Sequence, residues 1–217
     1  MPDNANHIVK NKDVSAIVLA GGRSQRMNFP KLLLPFNSSL NFIQKIASSY
    51  NELNTPVIIV VNQLVYEAYS DELSKLPSGC RLVINHHPEK GRIYSLQLGL
   101  NGCDSKKIFV QNSDNPFTEA KLLSAMLEKS SQNGFVSPAF EGKGGHPVLL
   151  CGETIQRLSE ITNEEMTLKE FLTGEEGKSV EADSKFISIN INTPEEYKKY
   201  FGEDLFEQLK LKMHAAV

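Results

Sequence analysis

The fold is decided by the stretch Val14-Ser-Ala-Ile-Val-Leu-Ala-Gly-Gly-Arg-Ser-Gln-Arg-Met-Asn-Phe-Pro-Lys31, in which an apolar run passes directly into a glycine loop. The run Ala16 to Ala20 is typical of a short strand buried on both faces. Gly21 and Gly22 let the chain turn sharply and bring backbone amides close to a ligand. The loop then supplies three cations suited to an anion with several oxygens: Arg23, Arg26 and Lys31. This combination predicts a polyphosphate-binding site.

The spacing of the loop differs from that of the two commoner phosphate-binding loops. It lacks the G-x-x-x-x-G-K-[ST] pattern of a P-loop, and no G-x-G-x-x-G follows the strand, which disfavours ATPases and dinucleotide-binding enzymes. The alternative is a solvated glycine loop in which the basic residues fall by chance. The spacing from the strand to Lys31 favours the binding site over that alternative.

Composition indicates one globular domain. The chain has 217 residues, of which 40% are hydrophobic and 23% charged, so it can bury a substantial core. Its net charge of −3 gives no reason to expect a nucleic-acid partner. No stretch approaches the roughly 20 apolar residues of a membrane span, so we expect no membrane association. We predict a polar N-terminal tail over residues 1–13, a single domain over 14–201, and a C-terminal tail or helix over 202–217.

The N-terminal residues and the cysteines bear on the compartment. Residues 1–13 are polar and lack the apolar core of a signal peptide, so we expect a cytoplasmic protein. The cysteines Cys80, Cys103 and Cys151 are odd in number and follow no recognisable spacing. We interpret them as free thiols, since neither a disulfide framework nor a zinc cluster is indicated.

Strands and helices alternate along the chain without an internal repeat. This order is typical of an α/β domain with a mainly parallel sheet, whose ligands lie beyond the carboxyl ends of the strands. We expect helices over residues 40–53, 65–76, 94–100 and 119–130, and strands over 57–61, 81–84 and 107–111, with further strands within 136–150 and over 186–190.

The glycine loop resembles the signature L-A-[GA]-G-x-S-x-R-M-G-x-x-K of the nucleotidyltransferases, in particular the MobA- and MocA-like enzymes that make the nucleotide forms of molybdenum cofactor. Leu19 to Lys31 departs from it at Asn28, which replaces a glycine; asparagine also tolerates left-handed backbone. The resemblance implies a three-layer Rossmann-like nucleotidyltransferase fold with a mainly parallel mixed sheet that carries one antiparallel strand. It also implies a nucleotide-binding set in this loop: Leu19, Ala20, Gly21, Gly22, Arg23, Arg26 and Lys31.

A second motif is Phe109-Val-Gln-Asn-Ser-Asp-Asn-Pro-Phe117, where an apolar strand ends in an acidic tip. Asp114 should lie at the same sheet edge as the glycine loop. A triphosphate needs a cation to gather its oxygens, and Mg²⁺ prefers one or two carboxylates plus phosphate oxygens and water. The motif resembles the G-D-x-P of the family, with Ser113 in place of glycine, which favours Asp114 as a metal ligand. Alone, an aspartate before Asn-Pro is more often a turn former or helix cap.

A third motif is Ile189-Asn-Ile-Asn-Thr-Pro-Glu-Glu-Tyr197. Thr193 suits a helix cap, and Pro194 suits the first helical position. This leaves two asparagines unexplained. Relatives carry D-x-D-T-P or N-x-N-T-P here and use it to complete the metal site, so the resemblance implies a metal-linked role for Asn192. Asn190 and Asn192 would make the site less anionic than the acidic version.

A fourth motif is Gly91-Arg-Ile-Tyr-Ser-Leu-Gln-Leu-Gly-Leu100, in which Gly91 interrupts the chain and Ser95 is expected to begin a helix. It resembles a G-x-x-S-L-x-x-G-L segment of the family that helps to hold the nucleotide. We therefore assign Ser95 to nucleotide binding, together with Asn62 at the end of the strand over 57–61. Arg92 is assigned there too, although it could equally be a surface residue.

A fifth motif is Glu141-Gly-Lys-Gly-Gly-His-Pro-Val-Leu-Leu150. It is similar to a segment on the acceptor side of the molybdenum-cofactor branch, so Lys143 and His146 are candidate ligands of an acceptor phosphate. The alternative for His146 is a hydrogen-bonded turn residue.

Together the resemblances imply a Mg²⁺-dependent nucleotidyltransferase of EC 2.7.7 type. It would transfer an NMP group from an NTP to a phosphate acceptor and release pyrophosphate, with Arg26, Lys31 and Asp114 as catalytic residues. Molybdopterin is the favoured acceptor. The alternatives are a sugar phosphate or another metabolite, or a nucleotide-binding regulator with little turnover. The motifs combine features of guanylyl- and cytidylyltransferases, so GTP and CTP both stay open. We expect a monomer or small homo-oligomer.

Overall fold

The structure is a computed structural model that describes residues 13–22, 24–163 and 165–215, with side chains up to residue 211. Within these ranges the strands are β1 (Val14–Ala20), β2 (Val57–Asn62), β3 (Cys80–Asn85), β4 (Lys107–Asn112), β5 (Gly134–Phe140), β6 (Lys143–Gly144), β7 (Val148–Cys151) and β8 (Gly177–Glu181). The α-helices are α1 (Phe42–Asn51), α2 (Gln63–Ala68), α3 (Ser70–Leu73), α4 (Gly91–Leu100), α5 (Ala120–Lys129), α6 (Glu153–Ser159), α7 (Leu168–Leu172), α8 (Pro194–Phe201) and α9 (Glu203–Ala215). Short 3-10 helices span Lys31–Leu33, Pro88–Lys90 and Lys185–Ser188.

The strands form one mixed sheet in the order β3-β2-β1-β4-β7-β5, with β6 and β8 paired to β5. β1 lies between β2 and β4 and is parallel to both. β7 is antiparallel to both β4 and β5, so β5 runs in the same direction as β1 to β4. This confirms the predicted α/β fold with a mainly parallel sheet. Two strands, β7 and the short β6, run antiparallel to β5, where the resemblance implied one. The parallel order also places the carboxyl ends of β1, β2, β3 and β4 at one edge.

Side chains on the two faces of β1 enter two separate cores, as the two-residue period of a strand requires. Ala16 and Val18 belong to the first core with α1 and α5. Ile17 belongs to the second core with α4 and α6. Helices therefore cover both faces of the sheet, which is the predicted three-layer arrangement. The buried Leu209 of α9 joins the first core.

Two predicted elements near the glycine loop differ from the structure. The helix expected over residues 65–76 is divided into α2 and α3 at Tyr69, whose φ of −131° and ψ of 31° are not helical. The ring of Tyr69 packs edge-on against Phe29 of the glycine loop. The helix expected to begin at Ser95 begins instead at Gly91, and the Ser95 hydroxyl donates to the carbonyl of Gly91.

The strand expected over residues 186–190 is wrong. A 3-10 helix spans Lys185–Ser188, and the side-chain amide of Asn115 donates to the carbonyls of Phe186, Ile187 and Ile189 at 2.9 to 3.0 Å. Carbonyls that converge on one amide cannot form a strand ladder, so this buried contact overrides the apolar pattern. The edge strand of this part of the sheet is β8, which the sequence analysis did not predict.

Over the described residues, no helix combines the length and the apolar character needed to cross a membrane.

Candidate active site

A cleft of about 150 Å³ lies at the carboxyl ends of β1 and β4. Its walls come from the glycine loop, the start of α4 and the turn that follows β4. Eight of the predicted site residues line it: Leu19, Ala20, Gly21, Gly22, Lys31, Arg92, Ser95 and Asp114. The structure therefore brings together residues from three of the five motifs. The backbone of the glycine turn faces the same space as two cations, Lys31 and Arg92, and one carboxylate, which is the chemistry that a polyphosphate requires.

The glycine loop is anchored by apolar side chains and held by its own backbone. Met27 and Phe29 are buried in the first core. The carbonyl of Ser24 accepts hydrogen bonds from the amides of Met27 and Asn28. Ser24 and Asn28 adopt φ of +47° and +53°. Asn28 therefore has the left-handed backbone that glycine adopts easily. Asparagine tolerates this conformation, so Asn28 can replace the glycine of the family signature.

Lys31 joins the second motif to the third. Its Nζ donates to Oδ1 of Asn192 at 2.5 Å and lies 3.5 Å from Oδ2 of Asp114. Asp114 is 6% exposed, and its other oxygen, Oδ1, is buried without a hydrogen-bond partner in the described structure. An ammonium group therefore stands between the two oxygens that the sequence assigns to a metal.

Backbone contacts fix the position of Asn192 beside Asp114. The amide of Ile191 donates to the carbonyl of Asp114 at 2.7 Å. Thr193 caps α8 in a capping box with Glu196, and Glu196 also accepts the amide of Asn192 at 2.7 Å. The predicted helix start at Thr-Pro is confirmed. These contacts hold Asn192 with its side chain directed at Lys31.

The oxygens at this point suit a hard cation. Across the described residues, no group of three or more His, Cys, Asp and Glu side chains could hold a metal ion. The set offered here is one carboxylate, with the unpartnered buried Oδ1 of Asp114, and the amide oxygen of Asn192. Mg²⁺ uses few protein ligands and takes the rest of its shell from phosphate and water, so these donors fit it. Magnesium itself stays a proposal.

A second, larger cavity of about 900 Å³ adjoins the cleft. The two share four lining residues: Leu19, Gly91, Arg92 and Asn112. Its far walls are largely apolar, with Ile93, Leu96, Phe135 and Leu168 among them. His146 and Asn190 also line it. A bound group that spans both spaces would pass Arg92 and Asn112 at their junction.

His146 lines the second cavity next to Asn112, one of the residues that line both spaces. Burial lowers its pKa; Asp114 opposes that shift and Arg92 adds to it. The neutral ring this favours can accept a hydrogen bond at Nε2 from the side-chain amide of Asn112, 2.9 Å away. The remaining proton then lies on Nδ1, which has no partner in the described residues. His146 is therefore a neutral hydrogen-bonding group and not a fixed positive charge.

Four other predicted site residues line neither cavity or cannot be placed. Asn62 is buried at the end of β2 and lines neither cavity. Arg23 lies outside the described residues. Arg26 is exposed on the glycine loop and is not among the residues that line the cleft. Lys143 is exposed on β6, one residue before Gly144 of the second cavity. The proposed roles of these residues stay predictions.

Sequence reasoning missed two asparagines. Asn112 ends β4 and binds His146. Asn115 holds the segment before Asn190 in place through its three carbonyl contacts. The available signal was the change from apolar to amide residues at the end of β4, where Gln111 and Asn112 precede Asp114. Residues 165–169, which line the second cavity, carried no motif.

Gly145 offers a test of how tightly the second cavity is built. A Cβ at Gly145 would lie 2.5 Å from the carbonyl oxygen of Ile187, so Gly145→Ala should destabilise the fold by about 1–3 kcal/mol through backbone displacement. Thermal unfolding measures this. Gly174→Ala is the matched control, because its Cβ would meet only a carbonyl at 3.8 Å. Equal melting temperatures for the two variants would contradict the prediction.

Comparison with known families identifies the chain. The family described as the MobA-like NTP transferase domain matches residues 16–180. The chain belongs to this family. Within the MobA-like NTP transferases it is similar to a protein of Natranaerobius thermophilus named "Probable molybdenum cofactor guanylyltransferase". The two are 27% identical over 206 residues, which cover 88% of this chain and 98% of that protein.

Solved structures agree on the fold. Rv0371c from Mycobacterium tuberculosis superposes with a TM-score of 0.74 at 16% identity, over 88% of this chain and 99% of that chain. A nucleotidyl transferase from Methanothermobacter thermautotroptrophicus superposes with a TM-score of 0.70 at 20% identity, over 90% and 98%. Family membership supports an enzyme of the nucleotidyltransferase class, which takes an NTP and an acceptor.

Proposed function

We propose that this MobA-like transferase moves an NMP group from an NTP to a phosphate acceptor and releases pyrophosphate, with molybdopterin as the acceptor. The observation that supports this most is the convergence of the glycine turn, Lys31 and Asp114 on one cleft that opens into a second cavity. GTP is the first nucleotide to test, because the curated relative from Natranaerobius is named a guanylyltransferase.

The chemistry needs little from acid–base groups. The attacking oxygen of a phosphate acceptor is already anionic, so catalysis consists mainly of positioning and charge neutralisation. Lys31 would neutralise phosphate oxygens in the cleft, and the glycine turn would offer backbone amides. Magnesium, held by Asp114 and Asn192, would supply further positive charge at the phosphates.

The adjoining cavity is suited to the acceptor. Its apolar walls would take the body of the acceptor, and Arg92 at the junction would direct the acceptor phosphate toward the cleft. His146, neutral and bonded to Asn112, would offer a hydrogen bond rather than a charge. Lys143 is proposed to reach the acceptor from the cavity rim.

Pyrophosphate release with a panel of nucleotides and acceptors tests the proposal. We expect release with GTP, and less with CTP, only when molybdopterin is present. Release with a sugar 1-phosphate in its place would point to metabolite nucleotidyl transfer. Tight nucleotide binding without pyrophosphate release from any nucleotide–acceptor pair would instead indicate a nucleotide-binding regulator with little turnover.

The metal proposal has its own test at Asn192. Asn192→Asp adds an anionic ligand and should lower the Mg²⁺ concentration for half-maximal turnover by about tenfold. Asn192→Leu removes the oxygen and should raise it. Coincident Mg²⁺ titrations of the parent and both variants would exclude Asn192 as a ligand.

A further inference from the structure

Asn62 uses both ends of its side-chain amide within the protein. It ends β2 and is 4% exposed. Its Oδ1 accepts the backbone amide of Val65 at 2.8 Å and so caps α2. Its Nδ2 donates to the carbonyls of Gly21 and Gly22 at 3.1 and 3.4 Å. The residue therefore links the end of one strand to the glycine turn that follows another.

The contact with Gly21 sets the direction of a peptide group in the turn. In a planar trans peptide the carbonyl and the amide hydrogen point in opposite directions. Because the carbonyl of Gly21 points at Asn62, the amide of Gly22 points away from Asn62. Gly22 itself lines the cleft.

Packing does little to hold this turn. Among the described residues, a Cβ built on Gly22 would meet no heavy atom within 4 Å, and one on Gly21 would meet Ser95 Oγ at 3.7 Å and the backbone of Asn62 at 4.0 Å. Glycine backbone is also the most permissive in conformation. Within the part of the chain that the structure describes, the hydrogen bonds from Asn62 are the side-chain restraint on the peptide that faces the cleft.

We propose that Asn62 is a positioning residue, which orients the Gly21–Gly22 turn for the phosphates of the nucleotide without touching the nucleotide. This inference rests on the proposed function of the cleft. The sequence assigns Asn62 to the residues that contact the nucleotide, so this inference gives Asn62 a different role.

Substitutions that keep the helix cap isolate this role. Asn, Asp and Ser are nearly equivalent as N-caps, so a residue that only caps α2 would tolerate Asn62→Asp and Asn62→Ser equally. The glycine carbonyls can only accept hydrogen bonds. A carboxylate would repel them and displace the turn, whereas serine would merely leave them without the donor.

Asn85 provides the matched control on the neighbouring strand. It pairs with Asn62 in the sheet register and is fully buried. Its Oδ1 accepts the amide of His87, and its Nδ2 donates to Ser95 Oγ at 3.0 Å. A serine hydroxyl can donate as well as accept, so in Asn85→Asp the proton that Ser95 gives to the carbonyl of Gly91 can turn to the new carboxylate. The variant therefore buries the same carboxylate but retains a hydrogen bond to it.

Calorimetric titration with GTP and CTP, thermal unfolding and amide NMR of the nucleotide-free protein together test the inference. We expect Asn62→Asp to weaken nucleotide binding by about tenfold or more and Asn62→Ser by less. The melting temperature of Asn62→Ser should stay within a few degrees of the parent, whereas Asn62→Asp should melt lower, because it buries a carboxylate against two carbonyls. The amide resonances of Gly21 and Gly22 should shift in nucleotide-free Asn62→Asp, and far less in Asn85→Asp.

Two results would overturn the inference. Equal affinities in the parent and both Asn62 variants would leave Asn62 as a helix cap only. Weakened binding with unmoved Gly21 and Gly22 resonances would mean that Asn62 contacts the nucleotide directly. If the parent binds neither nucleotide, the proposed function fails instead, and the glycine resonances still decide whether Asn62 holds the turn.

Discussion

Asp114→Asn is expected to reduce pyrophosphate release by at least about 100-fold, equivalent to several kcal/mol of lost charge stabilisation, while the variant unfolds at no lower temperature than the parent. Asp114 lies in the cleft and offers the carboxylate of the proposed metal set. Asparagine has nearly the same shape, so the loss of activity would follow from the lost charge. Steady-state pyrophosphate assays and thermal unfolding measure the two effects.

The stability half of this prediction follows from the surroundings of the carboxylate. Oδ1 of Asp114 is buried without a hydrogen-bond partner in the described structure, and Oδ2 lies 3.5 Å from Nζ of Lys31. A buried charge with so few partners costs free energy of folding. Replacement by a neutral amide removes that cost, so the residue is one whose loss harms activity and not the fold.

Asp183→Asn is the control for Asp114→Asn. Asp183 also pairs with a lysine, Lys121, at 2.7 Å, but both side chains are 82% exposed. An exposed pair of this kind contributes little to stability, and neither residue lines the cleft. Activity should therefore stay near the parent level. A drop in melting temperature for Asp114→Asn but not for Asp183→Asn would mean that Asp114 serves the fold.

The sequence was sufficient to place Asp114 at the same sheet edge as the turn of Gly21 and Gly22, because each follows an apolar strand and the carboxyl ends of parallel strands share an edge. It was not sufficient to place Asn192 against Lys31. That contact depends on Asn115, which holds the carbonyls of residues 186, 187 and 189, and on the bond from Ile191 to Asp114.

The same contacts explain the failed prediction of a strand over residues 186–190. An apolar pattern reports which side chains are buried, but it does not report which donor the backbone carbonyls meet. In the same way, the basic composition of the loop could not separate Lys31, which enters the cleft, from Arg26, which is exposed. Side-chain direction in an irregular loop is set by its anchors, here the buried Met27 and Phe29.

Lys31→Met is expected to change two kinds of binding in opposite directions. Without the ammonium group, pyrophosphate release should fall by at least about 100-fold, because a cation at the phosphates is lost. In the nucleotide-free protein, however, the Nζ of Lys31 already occupies the gap between Asn192 and Asp114. A divalent cation needs the same two oxygens and would be repelled by the ammonium at short range.

Removal of Lys31 should therefore tighten the binding of Mn²⁺, used as a spectroscopic probe, to the nucleotide-free protein by about tenfold. Methionine keeps the apolar stem and removes only the charge. Paramagnetic resonance of free Mn²⁺ measures the affinity, and Lys121→Met, at the exposed pair with Asp183, serves as the control that changes neither quantity. Weaker Mn²⁺ binding in Lys31→Met would show that Lys31 supports the cation site instead of competing for it.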